Sequence, residues 1–320
     1  MRQEGRILAT LLAAGALSIG FTGTASAILA DDQYSLTQPA AELVMPFDAR
    51  DGKATFLIVS NPTAVSPGAS QISTHWIFWG SNCKELANVS MCLTLDDSVV
   101  VDPRSIQGLG PNNEPLGPIV NLSGNAGVVT VVAYETDEAC NPYTRTGEIL
   151  KDEAIVGTFT LADIGAGYSF GNDALGLFLN DAGDAVQVPD GRDVNRYALQ
   201  TLNPEDLEAT LVVLAQLTEA DSIVTPAGSQ KYFASFYDNV ETATSLPDVQ
   251  VGCPAYRTVT GGTAPLIPDF VTVASSGIIS LDPSPNIGQN QYLFGIIGQA
   301  VGTFGASARV KEDVNREIPL

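Results

Sequence analysis

The segment QISTHWIFWG, residues 71–80, sets the strongest limit on what this chain can become. In an extended strand, alternate side chains point to opposite faces. His75, Ile77 and Trp79 then share one face, and Trp76 and Phe78 the other. Both faces are largely apolar, so this strand is stable only where both sides are covered. It belongs in the interior of a layered β-structure, with the large aromatic side chains as its filling.

Similar runs recur along the chain. ATFLIVSNP (54–62) is β-prone and stops at Asn-Pro, and GVVTVVAYE (127–135) is β-branched almost throughout. SMCLTLDDSVVVDP (90–103), AIVGTFTLAD (154–163) and LGLFLN (175–180) have the same character, as do the later runs 231–246, 269–281 and 291–310. β-Branched and aromatic residues fit the pleated surface of a sheet. Between the runs lie turn-rich pieces: GLGPNNEPLGP (108–118), NDAGDAVQV (180–188) and DPSPNIG (282–288). Alternating βα units are absent. The pattern predicts an all-β fold, an antiparallel β-sandwich of Ig-like or jelly-roll-like kind. One large domain over residues 28–320 is the primary expectation, and two sandwiches meeting near residues 185–205 the alternative.

One stretch argues for helix. Asn203 is a candidate N-cap, Pro204 suits the first helical position, and Glu205 and Asp206 sit where the helix dipole favours acids. A short helix near 204–208 leading into a strand is expected there.

The N-terminal residues are set apart from the fold. Arg2 and Arg6 precede the apolar run 7–20, and Ala25-Ser26-Ala27 supplies the small residues of a cleavage site. A spanning helix needs roughly 20 apolar residues, which this run does not reach. Residues 1–27 therefore read as a signal peptide, and the mature protein as secreted or periplasmic with no membrane span. The charged C-terminal stretch RVKEDVNREIPL (309–320) carries no apolar tail. An outer-membrane barrel is disfavoured because its strands should be apolar outside and polar inside.

The charge narrows the partners. With 15 basic and 36 acidic side chains the net charge is −21, which repels nucleic acid and anionic lipid. A glycan or protein ligand is compatible with that surface. Four cysteines in an exported chain imply two disulfides among Cys83, Cys92, Cys140 and Cys253. Of the three pairings, the local one, Cys83 with Cys92, is favoured, leaving Cys140 with Cys253. No CxxC pair is present and there is a single histidine, so zinc is disfavoured.

Reactive constellations are scarce. For His75 neither a nucleophile nor an orienting partner can be named, so no catalytic residue is assigned. Asp96-Asp97, Asp137-Glu138 and Asp152-Glu153 are adjacent acids, but strand neighbours point to opposite faces and adjacency does not make a dyad. No cofactor is expected, with calcium as the exception to weigh. Asp181, Asp184, Asp190, Asp193 and Asn195 cluster in turn-like sequence and could supply oxygen ligands. Their spacing is not that of an EF-hand, Arg192 lies among them, and Asp and Gly serve turns in any case. Trp79, which ends its strand at Gly80, and Trp76 are the candidate ligand platform. The expectation is a non-catalytic structural, adhesion or matrix-type β-sandwich protein. A carbohydrate-binding module, calcium-assisted or not, is the first alternative and a two-carboxylate glycoside hydrolase the second.

Overall fold

Short β-branched runs become a fold by pairing, since each backbone N–H and C=O they bury needs a partner. A computed structural model of the chain describes residues 34–35, 39–62, 71–136, 140, 154–165, 167–177, 195–199, 207–216, 224–226, 230–238, 243–258, 277–283, 291–301, 304–308 and 310–311. The strands begin with β1 (Tyr34–Ser35), β2 (Glu42–Asp48), β3 (Lys53–Ser60), β4 (Gln71–Gly80), β5 (Glu85–Thr94) and β6 (Ser98–Val101). Next come β7 (Ile106–Leu109), β8 (Pro115–Val120), β9 (Ala126–Glu135), β10 (Val156–Asp163), β11 (Tyr168–Asp173) and β12 (Leu175–Leu177). They are followed by β13 (Asn195–Leu199), β14 (Leu207–Gln216), β15 (Val224–Pro226), β16 (Gln230–Asp238), β17 (Ala243–Ser245) and β18 (Val249–Val251). The last are β19 (Ala255–Thr258), β20 (Gly277–Pro283), β21 (Gln291–Val301), β22 (Phe304–Ala308) and β23 (Val310–Lys311).

Among the described residues there is no helix, and at Leu207 and Glu208 this corrects the short helix expected near 204–208. Leu207 and Glu208 already belong to β14, where they pair with Gln299 and Gly298. The strand expected to follow is there, and it begins at Leu207 because its ladder to β21 already includes Leu207 and Glu208. Residues 204–206 lie outside the described residues, as does the segment 1–27 read above as a signal peptide.

The strands form open, antiparallel sheets packed in layers, and among the described residues none closes into a barrel. The first sheet runs β1-β12-β2-β9-β4-β5-β7-β8 and the second β11-β10-β3-β6. Among the described residues the one parallel contact is between β5 and β7, at Met91 and Leu109. A continuous apolar core fills the space between these two sheets. Leu43, Met45, Phe47, Trp76, Phe78, Val129 and Val131 contribute from the first, and Leu57, Val59, Val99, Val101, Phe159 and Leu161 from the second. β3 alternates accordingly: Leu57 and Val59 face inward, while Phe56, Ile58 and Ser60 are half-buried on the outside. β2 is buried at every position, a second strand covered on both sides.

The remaining sheets are β17-β16-β20-β13-β23, with β18 also on β16, and β15-β14-β21-β22, with β19 also on β14. Strands from residues 34–177 pair among themselves, and those from 195–311 do likewise. The two groups approach where β11 lies beside β22 and β9 beside β19, and the chain from Gln33 to Leu320 is one compact unit. The outer edge of the first sheet is β8, which carries exposed Pro115 and Pro118. Proline has no N–H to offer a further strand, so this edge is blunted.

Candidate functional site

The aromatic hairpin comes first, because the sequence puts most of its unusual residues there. β4 lies between β9 and β5, with Trp76 opposite Val131 on one side and Val89 on the other. The Trp76 ring is fully buried, its plane 18° from that of Phe78 at a centroid distance of 6.5 Å. Phe47 meets Phe78 edge-on at 5.5 Å. Burying an indole requires a partner for its N–H. Trp76 Nε1 donates to Thr74 Oγ1 at 2.9 Å, and Thr74 Oγ1 donates to the Met91 carbonyl at 2.9 Å. Trp79 is half-buried on the opposite face and donates from Nε1 to Thr130 Oγ1 at 3.1 Å. The two tryptophans therefore point into different layers. Trp76 presents no face to a ligand, and the pair does not form a flat platform.

His75 shares the Trp79 face and sits 6.5 Å from the Tyr134 ring. In the same cross-strand row stand Ser90, Val132 and Glu42. Glu42 is fully buried. Sequence reasoning passes over this carboxylate because only the pairing of β2 with β9 and β12 shows that it is enclosed. Val132 stands between Glu42 and His75 in that row.

The cysteines form two bridges, Cys83–Cys253 and Cys92–Cys140, with Cα separations of 4.8 and 5.9 Å. This corrects the expected local pairing. Cys83 lies in the turn of the β4–β5 hairpin with φ near 57°, whereas Cys92 lies on β5, opposite Ser73. From Glu85 to Cys92 an extended strand covers about 23 Å, far beyond the reach of a disulfide. Closeness in sequence becomes distance in space once the segment is a strand. The bridges suggest an oxidising environment, and among the described residues no helix is long and apolar enough to cross a membrane.

The acidic groups take several roles. Asp48 and Asp102 each grip the arginine two residues on. Arg50 Nε and Nη2 donate to the Asp48 carboxylate at 3.0 and 2.7 Å, and Arg104 to that of Asp102 at 3.0 and 2.8 Å. In both cases the arginine backbone N–H also donates to Oδ1, so each pair closes a turn. Burial lifts the Asp102 carboxyl, but the hydrogen bonds and charge of Arg104 outweigh this and hold it below the usual carboxylate value. Lys53 pairs with Asp163 at 2.6 Å across β3 and β10. Asp97 caps its own turn by accepting from the Ser98 N–H at 2.8 Å.

Of the residues considered for calcium, Asp181, Asp184, Asp190 and Asp193 lie outside the described residues. Asn195 opens β13, where it pairs with Leu281 on one side and Lys311 on the other. Among the described residues no group of three or more His, Cys, Asp or Glu is placed to hold a metal ion. Asp137-Glu138 and Asp152-Glu153 lie outside the described residues.

An exposed aromatic row is found elsewhere, on β16. Tyr232, Ala234 and Phe236 point into the core, so Lys231, Phe233, Ser235 and Tyr237 line the outer face. Phe233 is 42% exposed and Tyr237 38%. Lys231 Nζ lies 5.3 Å from the Phe233 ring centroid and pairs with Asp248 at 2.5 Å. Asp282 of β20 stands directly opposite Phe233 and accepts from Ser280 Oγ at 3.1 Å. Comparison with protein-family models, curated proteins and solved structures finds no match. The outer face of β16 is the candidate site the molecule offers on its own geometry. Its signal in KYFASFYD is the interleaving of Lys231 and Ser235 with Phe233 and Tyr237. Composition alone reads this run as a strand, without saying which of its faces is exposed.

Proposed function

We propose that the protein is an exported, non-catalytic structural or adhesive component that works in an oxidising medium as a rigid β-scaffold. The observation that carries this reading is that one hairpin is stapled at both ends. Cys83 in its turn is tied to Cys253, and Cys92 near its open end is tied to Cys140. The same hairpin carries Trp76 and Phe78 of the core between the first two sheets, so the bridges brace the strands that fill that core. Bridges of this kind contribute about 2–4 kcal/mol each by restricting the unfolded chain, more for longer loops. The reactive side chains around the hairpin serve the fold: the two indoles bond threonines, and the Asp48 and Asp102 carboxylates are held by their own arginines.

The test is peptide mapping of the exported protein without reduction, together with stepwise reduction. Cys83 and Cys253 are both half-exposed, while Cys92 and Cys140 are buried. A mild thiol should therefore open Cys83–Cys253 first, with Cys92–Cys140 yielding only when the fold is lost. Four free thiols in the exported protein would contradict the reading. So would release of new reducing ends from a panel of polysaccharides, which would make the protein a hydrolase.

A further inference from the structure

The geometry points to the outer face of β16 as a platform for a neutral, extended polysaccharide, an inference that rests on the adhesive reading and gives it a partner. Phe233 and Tyr237 lie on one face of one strand, four residues and so about 13 Å apart. That distance exceeds the width of a single sugar ring, so a ligand touching both must be oligomeric and straight. Aromatic faces attract the apolar C–H faces of such rings, and the hydroxyls around each ring need polar partners. Those partners are in place: Asp282 opposite Phe233, Asp248 and Lys231 at one end, and Ser235 between the two rings.

Other occupants fit less well. An aromatic side chain carries about 150–250 Å², so rings 42% and 38% exposed offer together only roughly 150 Å² of apolar surface. A stable protein interface needs about 1,200–2,000 Å². A second copy of this chain would also bring a net charge of −21 against its own kind. The same charge, with Asp248 and Asp282 beside the rings, turns away acidic polysaccharides. A neutral chain of sugar rings meets both limits.

Affinity gel electrophoresis of the full chain with hydroxyethylcellulose, laminarin or galactomannan, and with heparin as the anionic probe, tests this. Retardation is expected with at least one neutral probe and not with heparin. Phe233→Ala and Tyr237→Ala should each weaken it about tenfold, the size of a lost aromatic contact, and the double variant should abolish it. Tyr237→Phe, which keeps the ring, should retain binding, as should Ile119→Ala at an exposed position on β8. Phe233→Trp supplies a second readout, because its indole emission should shift to shorter wavelength when the binding polysaccharide is added. No retardation of the wild-type chain by any neutral probe would overturn the proposal, as would undiminished binding by the double variant. Either result with the disulfides intact leaves the scaffold reading standing. Retardation by a protein whose four thiols are free would uphold the platform and remove the scaffold reading.

Discussion

Single residues in this protein are placed by what burial demands of their polar atoms. Trp76 can occupy the centre of the core because Thr74 takes its indole proton and passes its own to Met91. Asp173, at the end of β11, shows the opposite condition. Burial raises its carboxyl above the ordinary value. A raised carboxyl means that the charged form is penalised in the folded state. The penalty is absent below the unfolded value of about 3.9, grows as pH rises through it, and is complete above the folded value. Asp173→Asn should therefore stabilise the protein at pH 7, and the gain should disappear near pH 3. Urea unfolding of both proteins at the two pH values measures this. An equal difference at both would show that the carboxyl does not titrate differently on folding.

Elements are fixed by how closely their backbones approach. Gly127, near the start of β9, lies opposite Gly80, and a methyl group there would overlap the Trp79 carbonyl oxygen and press on the Phe47 ring. Backbone cannot give way as a flexible side chain can. Gly127→Ala should cost roughly 2–4 kcal/mol, at the upper end for a single substitution, visible as a lower denaturant midpoint with little change in slope. Alanine at Gly117 meets no atom within 4 Å, but there φ is +73°, so its penalty is one of backbone strain and should be smaller. The disulfides belong to this scale too. Their sequence separations are 170 and 48 residues, and each joins elements that no local preference would bring together.

For the whole molecule, the charge opposes compaction while the core and the bridges sustain it. Added salt should raise the melting temperature at pH 7 by screening self-repulsion, with most of the gain complete once the screening length falls below about 10 Å, near 0.1 M. Calorimetry across a salt series checks this, and the effect should fade near the isoelectric point of about 4.1. A melting temperature indifferent to salt at pH 7 would mean the acids are already dispersed or paired well enough not to strain the fold. The β class, the two-sided burial of residues 71–80 and the use of the four cysteines as bridges could be read from the chain itself. Period-two alternation, apolar content and an even number of cysteines act locally or compositionally, and need no knowledge of what packs on what. The cysteine partners, the conversion of 207–208 to strand, the burial of Glu42 and the exposed ring pair on β16 were decided by tertiary structure alone. Each depends on which strand lies beside or above another, and strands far apart in the chain meet through contacts that no local stretch encodes.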